Sequence, residues 1–380
     1  MEKARLGFGW MRLPQKSAET TDIDFDQVKQ MVDEYMAAGF NYFDTSFVYH
    51  GGKSENAIKE CLVKRRDRDS FILTSKLPTF AITKEEQVEE IFSQQLENCG
   101  VDYFDNFLLH NLNQIRYERE VQSCHMFEHM KRWKEEGKIK HIGFSFHDSA
   151  DVLDRILTEH PEVEVVQIVV NYMDWEAQFI QSRKCYETTR RHDCQVLIME
   201  PVKGGLLANP PAEAKALLKE AAPALSPAAW ALRFAGSLDG IMAVISGMSN
   251  LEQVRDNIAT MGRFAPITEE EKELLAKVVR IYDESGPLGK VDLKPFEEVN
   301  PKGISAAAIM ETWNHCMIQP VPTFAAEQNY FSTEKAKQGI KMDEPCLPED
   351  VLLADGTDVT ELVKGAEKFL TDTMFFKYEV

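Results

Sequence analysis

The chain has 380 residues, 44% of them hydrophobic, and a formal net charge of −19. This length accommodates one α/β barrel of about 250 residues plus an extension. No apolar run nears the roughly 20 residues of a membrane-spanning helix, and the acidity repels phosphate backbones despite the short "KRRDR" at Lys64 to Arg68, so neither membrane nor nucleic acid is expected as a partner.

The seven cysteines are scattered, without a C-x-x-C pair, so reduced thiols are expected. The start "MEKARLGFGWMRLP" has no charged, apolar and small-residue succession of a secretory signal, and a cytoplasmic location is expected.

In chain order, short apolar runs alternate with longer amphipathic ones. The predicted strands are "RLGFGW" from Arg5, "FNYFDT" from Phe40, "SFILTSK" from Ser70 and "YFDNFLLH" from Tyr103. "HIGFS" from His141, "VEVVQIVV" from Val163, "QVLIME" from Gln195 and "GIMAVIS" from Gly240 follow. Between them lie helical patterns such as "FDQVKQMVDEYMAAG", where Val28, Met31, Val32, Tyr35 and Met36 recur at helical spacing and Gly39 closes the segment. Eight strands each followed by a helix predict a (β/α)8 TIM barrel over residues 1–284, since parallel strands joined by helices are covered on their outer face. The competing open dinucleotide-binding sheet needs G-x-G-x-x-G after its first strand, and "GFGWMR" supplies only Gly7 and Gly9.

A barrel builds its active site at the strand C-termini. Asp44 ends the second strand, Tyr49 follows in the next loop, Lys76 ends the third strand and His110 ends the fourth. Singly, each has a structural reading, as a turn cap, a loop aromatic, a solvated cation or a core imidazole. On consecutive strands they form a proton-handling set. An ammonium beside a phenol favours the phenolate, so Lys76 assists Tyr49 as an acid, Asp44 keeps Lys76 charged, and His110 addresses a carbonyl oxygen.

With these residues in place, "FDTSFVYHGG", "LTSK", "FLLHN", "GKIKHIGFSFH", "VVQIVVNY", "MEPVKGGLL" and "VISGMSNLEQVRDN" follow in an order that resembles the aldo/keto reductases, from about Arg5 to Asp283. The resemblance is to the bacterial branch whose members append a ferredoxin-like module. It implies an NAD(P)H-dependent reduction of an aldehyde or ketone, or the reverse oxidation, with Tyr49 as general acid, tuned by Lys76 and Asp44, and His110 orienting the carbonyl. Relatives that reduce carbon–carbon double bonds carry an acid in place of His110, so its presence points to carbonyl chemistry. Two alternatives remain at this point: an oxidoreductase or epimerase with a bound cofactor acting on a sugar-like substrate, and a weakly active, cofactor-binding regulatory protein.

The resemblance also implies cofactor contacts. Ser145 and Gln167 fall where the family holds the nicotinamide carboxamide, with Asn171 on the same strand exit and Asp44 nearby. Gly9, Trp10 and Met11 follow the first strand. Met199 stands where an aromatic usually stacks on the nicotinamide, and its polarisable sulfur can pack on a ring. Glu200, Pro201, Val202, Lys203, Gly204 and Gly205 form a loop suited to the pyrophosphate, in keeping with the barrel's phosphate site near strands seven and eight. Gly247, Met248, Ser249, Gln253 and Asn257 lie toward the adenosine end, where Arg255 is the one cation of the run. NADP(H) is preferred by resemblance and NAD(H) stays open, as hydroxyl and amide groups give a 2′-phosphate few charge-assisted bonds.

Residues 285–380 predict a mostly helical extension: an exit loop, a helix at "SAAAIMETWNHCM", a Pro-punctuated stretch and a helix at "DVTELVKGAEKFLTDTMFF". The appended module of the relatives binds iron–sulfur clusters through closely spaced cysteines, whereas only Cys316 and Cys346 occur here, so no cluster is expected. The extension serves either as a lid beside Tyr49 and His110 or as a structural or dimer-forming appendage. One competing motif, "HMFEH" at His125 to His129, matches the H-x-x-E-H zinc pattern, but it belongs to an outer barrel helix, and no metal is expected. The expected partner is a small carbonyl or alcohol substrate. Oligomeric state is left open.

Overall fold

The computed structural model describes residues 5–378; residues 1–4, part of the N-terminal stretch read above, and 379–380 lie outside the described residues. Eight strands form a closed, wholly parallel barrel in sequence order: β1 Arg5–Gly9, β2 Tyr42–Asp44, β3 Ile72–Leu77, β4 Phe104–Leu112, β5 Ile139–Phe146, β6 Val165–Val169, β7 Gln195–Met199 and β8 Ile241–Gly247. β8 closes the ring by pairing with β1, Gly9 opposite Gly247. No helix among the described residues is long and apolar enough to cross a membrane.

Strand side chains alternate faces with period two, and one alternate set fills the barrel. Tyr42, Leu108, Val165, Leu197, Ala243 and Ile245 form one buried cluster. A polar layer joins it, with the Tyr42 hydroxyl 2.6 Å from Thr74 Oγ1 and Asn106 Nδ2 donating to both, at 3.1 Å each. Glycine is required where this filling is tightest. A Cβ at Gly143 would lie 2.3 Å from the Val165 carbonyl oxygen and 2.6 Å from a Leu108 methyl.

The helices that cover the strands start and stop as the sequence signals indicate. Phe25–Ala37 is capped by Asp24, whose carboxylate accepts from the Gln27 amide, and it buries Val28, Met31, Val32 and Tyr35. The Tyr35 hydroxyl donates toward the carbonyl oxygens of Leu6 and Tyr42, at 2.5 and 2.9 Å, tying this helix to β1 and β2. Gly39, at φ 88°, turns the chain back toward β2.

The chain forms two compact units. The first runs through Asn171 and adds Arg183–Val202 and Ala228–Ile267, so it holds all eight strands. The second collects Tyr172–Ser182, Lys203–Pro227 and everything from Thr268 onward. The sequence reading drew its boundary after residue 284; the helix Glu269–Ser285 groups instead with the second unit, as do the loops that leave β6 and β7. The later helices are Ala306–Ile318, Pro322–Glu327, Phe331–Lys337 and Thr360–Asp372. Their side chains pack together: Ile309, Phe331, Val363 and Leu370 share one buried cluster with Phe296, which precedes these helices, and with Phe179 from the β6 loop.

Gly143→Ala is expected to destabilise the barrel by about 1–3 kcal/mol, the usual cost of an overpacked core. Thermal unfolding followed by circular dichroism, with a clearly lowered Tm, checks it.

Candidate active site

Period-two alternation carries the inward set up to the strand C-termini. Tyr42 and Asp44 share a face of β2, as do Thr74 and Lys76 on β3 and Asn106, Leu108 and His110 on β4. Asp44, Lys76 and His110 are all buried. Lys76 Nζ lies 2.7 Å from Asp44 Oδ1, 2.8 Å from the Thr45 carbonyl and 3.4 Å from the Tyr49 hydroxyl. The side chains of Lys76 and Asp44 are only 1% and 4% exposed, so this ion pair is almost wholly dehydrated.

Tyr49 reaches the pair through a tight turn. His50, Gly51 and Gly52 take φ values of 53°, 59° and 83°, a left-handed run that is costly for a histidine. The His50 imidazole holds it there, accepting from the Leu13 amide at 3.1 Å and contacting the Thr20 carbonyl at 2.7 Å. The Tyr49 ring then meets His110 edge-on, centroids 5.7 Å apart. His110 Nδ1 is 3.0 Å from Ser46 Oγ, and the ring of the exposed Phe80 lies 5.7 Å from the imidazole, centroid to centroid.

The electrostatics separate the roles. Burial pushes the His110 pKa well below its usual 6.5, and the cations Lys76 and Arg116, with His147, push the same way, so the imidazole is neutral at pH 7. Burial opposes the charge on Lys76, but Asp44 and Tyr49 outweigh it and raise its pKa above that of an ordinary amine. Burial raises the Asp44 carboxyl, and Lys76 offsets this only in part.

A supporting network lies behind β3. Glu55, buried at the start of the helix Ser54–Cys61, accepts from Ser75 Oγ and Gln95 Nε2, both at 2.7 Å, while Gln95 also donates to the Lys76 carbonyl at 3.0 Å. Sequence reasoning missed Glu55, Gln95, Ser46 and Phe80. The only available signal was position: Glu55 and Gln95 lie on helices flanking β3, and nothing in their local sequence marks them as buried.

The expected nicotinamide contacts partly converge. Gln167 Nε2 is 3.4 Å from Asp44 Oδ2, while its buried Oε1 has no hydrogen-bond partner among the described residues. That orphaned acceptor fits the amide N–H of a carboxamide. Ser145 Oγ accepts from the Asn111 amide at 2.7 Å, and Asn171 donates to the Glu200 carbonyl at 3.2 Å. Glu200 takes φ 57°, turning the chain sharply after β7.

Toward the end of β8, Met248 is buried and the Ser249 hydroxyl donates to the Arg12 carbonyl at 2.9 Å. Gln253 accepts from the Ser249 amide at 2.7 Å, and Asn257 donates to Ser246 at 2.9 Å. Arg255 is held in a bidentate pair by Glu34, at 2.8 and 2.6 Å. A second cation, missed in the sequence, lies closer to the strand: the Arg12 side chain packs over Gly247, with its Cδ 3.2 Å from where a Cβ would stand.

Gly9 ends β1, and Trp10 behind it is buried, whereas Met11 is exposed. Lys203, Gly204 and Gly205 belong to the second unit. The Lys203 ammonium is buried against the Asp174 carboxylate. At the H-x-x-E-H stretch, His125 precedes the helix Met126–Glu135, and His125 and His129 both contact Glu85, at 3.1 and 3.3 Å. No group of three or more potential metal ligands occurs among the described residues.

A family model described as "Aldo/keto reductase family" matches residues 5–280. Among curated proteins, the chain is similar to an uncharacterized oxidoreductase, YqkF, of Bacillus subtilis, 23% identical over 307 residues that cover 72% of this chain and 95% of the relative. It is also similar to L-galactose dehydrogenase of Arabidopsis thaliana, 23% identical over 275 residues covering 68% and 85%. Among solved structures, an aldo-keto reductase from Klebsiella pneumoniae in complex with NADPH matches the fold with a TM-score of 0.59 at 18% identity, over 73% of this chain and 96% of that one.

The depressed pKa of His110 makes stability depend on pH. The unfolded imidazole takes up a proton near pH 6.5, and the folded one does so only well below it. Its contribution is therefore complete above 6.5 and lost as pH falls toward the folded value. His110→Gln should flatten the fall in unfolding free energy below pH 6 by up to about 1.4 kcal/mol per pH unit, measured by urea unfolding at several pH values.

Proposed function

The chain belongs to the aldo/keto reductase family, a family of NAD(P)-dependent oxidoreductases, and on that premise we propose that it reduces an aldehyde or ketone to the alcohol, or runs the reverse oxidation, with Tyr49 as general acid or base. The observation that carries this reading is the chain of contacts from Asp44 through Lys76 to the Tyr49 hydroxyl, set edge-on to a neutral imidazole.

A phenol that gives up its proton leaves a negative oxygen, and the Lys76 ammonium at 3.4 Å stabilises that charge. Asp44 acts through Lys76, holding the ammonium protonated and aimed. A neutral His110 donates one hydrogen bond without competing as an acid. Ser46 Oγ, 3.0 Å from Nδ1, can donate to it; in that tautomer the ring proton is on Nε2, where it orients a substrate carbonyl toward Tyr49. The nicotinamide, when bound, supplies or accepts the hydride. Gln167, with its unpartnered Oε1, and Ser145 and Asn171 hold the carboxamide. The loop from Glu200 to Gly205 receives the pyrophosphate, with Gly247, Met248, Ser249, Gln253 and Asn257 toward the adenosine. NADP(H) is the preferred cofactor by family, and Arg255, held by Glu34, adds little to that preference.

Purified protein mixed with NADPH or NADH and a panel of aldehydes, ketones and sugars tests the activity, followed by the loss of nicotinamide absorbance; no turnover of any carbonyl would overturn the reading. Tyr49→Phe should lower kcat by about a hundredfold or more, the usual worth of a general acid, while the cofactor Kd stays as in the wild type. Steady-state kinetics beside a fluorescence titration separate the two quantities.

A further inference from the structure

The loop leaving β7 passes through three consecutive left-handed residues, Lys203 at φ 47°, Gly204 at 61° and Gly205 at 95°. Glycine adopts this region freely, but a lysine does so only where its surroundings hold it. Here several anchors do. The Lys203 ammonium pairs with Asp174 from the β6 loop, the two side chains 3% and 0% exposed. Gln319 Nε2 donates to the Lys203 carbonyl at 3.1 Å. The Phe324 ring lies so close to Gly204 that a Cβ there would meet its carbons at 2.5 to 2.7 Å. The Tyr282 hydroxyl donates to the Leu206 carbonyl at 2.9 Å. All of these groups belong to one compact unit, and Tyr282, Gln319 and Phe324 come from the C-terminal part of the chain.

We propose that the C-terminal segment is the buttress of the dinucleotide-binding loop: Gln319, Phe324 and the Asp174–Lys203 pair hold Gly204 and Gly205 in the conformation that receives the pyrophosphate, and Lys203 positions the loop rather than binding phosphate itself. The proposal rests on the reading that this loop takes the pyrophosphate. For Lys203 to reach a phosphate it would have to break a buried ion pair with Asp174, which is costly. Backbone amides presented in a left-handed turn suit a pyrophosphate without a side-chain cation. The aromatic Phe324 works by shape: its ring admits Gly204 and no larger residue.

The test measures dissociation constants of NADPH and NADH for full-length variants by quenching of tryptophan emission. Removing one partner of a buried pair leaves the other uncompensated, whereas neutralising both is far milder. Lys203→Met and Asp174→Asn should each weaken both nucleotides on the order of tenfold through displacement of the loop, and the double variant should return to within about threefold of the wild type. Gln319→Ala and Phe324→Ala should also weaken both nucleotides. Phe324→Leu, which keeps most of the volume but not the ring, replaces the alanine variant should that one not fold, and should likewise weaken both nucleotides. A double variant that binds as weakly as Lys203→Met, with Asp174→Asn unchanged or tighter, would make Lys203 a direct phosphate ligand and overturn the proposal. Wild-type affinity in the Gln319 and Phe324 variants overturns the buttress alone; a wild-type chain that binds neither nucleotide overturns both the buttress and the reading beneath it.

Discussion

The ends of β2, β3 and β4 meet around one dehydrated ion pair, Lys76 with Asp44. Burying two charges is costly, and their attraction repays the cost only when every remaining proton and lone pair is satisfied. An ammonium has three protons to place. They meet Asp44, the Thr45 carbonyl and the Tyr49 hydroxyl, and the last contact is the longest. Gln167 approaches the second carboxylate oxygen. A barrel shaped for stability alone is served as well or better by apolar side chains at these positions. The pair also sets an ammonium 3.4 Å from the Tyr49 hydroxyl, the contact on which the proposed function rests.

Such a pair is useful only if it cannot wander, and the structure fixes it from behind. Lys76 lies on a strand, and its carbonyl is bonded by Gln95 from the helix Glu86–Cys99. Gln95 and Ser75 in turn meet Glu55 on the helix Ser54–Cys61. Burial raises the Glu55 carboxyl, while hydrogen bonds from Gln95, Ser75 and Asn98 oppose the rise. This is a second buried polar network in which a loss at one member is felt by the others. The two networks share β3, so the outward face of a single strand steadies the buried ion pair on its other side.

The inward face that gathers the polar set was legible because strand periodicity is strict. Once β2, β3 and β4 are recognised as strands, Asp44, Lys76 and His110 must share the inward face with Tyr42, Thr74 and Asn106. Strand limits were less legible: β2 comprises only Tyr42–Asp44, and β4 continues past His110 to Leu112. Glu55 and Gln95 escaped because a helix shows its burial through apolar neighbours, and a buried acid looks like a surface one. Arg12 escaped for a related reason, since its nearness to Gly247 depends on barrel closure, which joins residues more than two hundred apart. The pairing of Lys203 with Asp174 was not legible, because Asp174 lies in another loop and pairing between loops has no periodicity to reveal it.

The same limit explains why the C-terminal segment was hard to place from sequence. Loops at the C-terminal face of a barrel usually vary because they need only bridge a strand to a helix. Here the loops after β6 and β7 instead fold with the chain beyond Thr268, around Phe296, Ile309, Phe331 and Leu370. A loop that contributes Phe179 to such a core has its conformation set by residues over a hundred positions away. Left-handed angles at Lys203, Gly204 and Gly205 are affordable for the same reason: a well-packed core holds a strained turn that an isolated loop would relax. The tail then accounts for its own composition, because aromatics that look unpartnered along the sequence are what a small helical unit requires to hold two barrel loops in one shape.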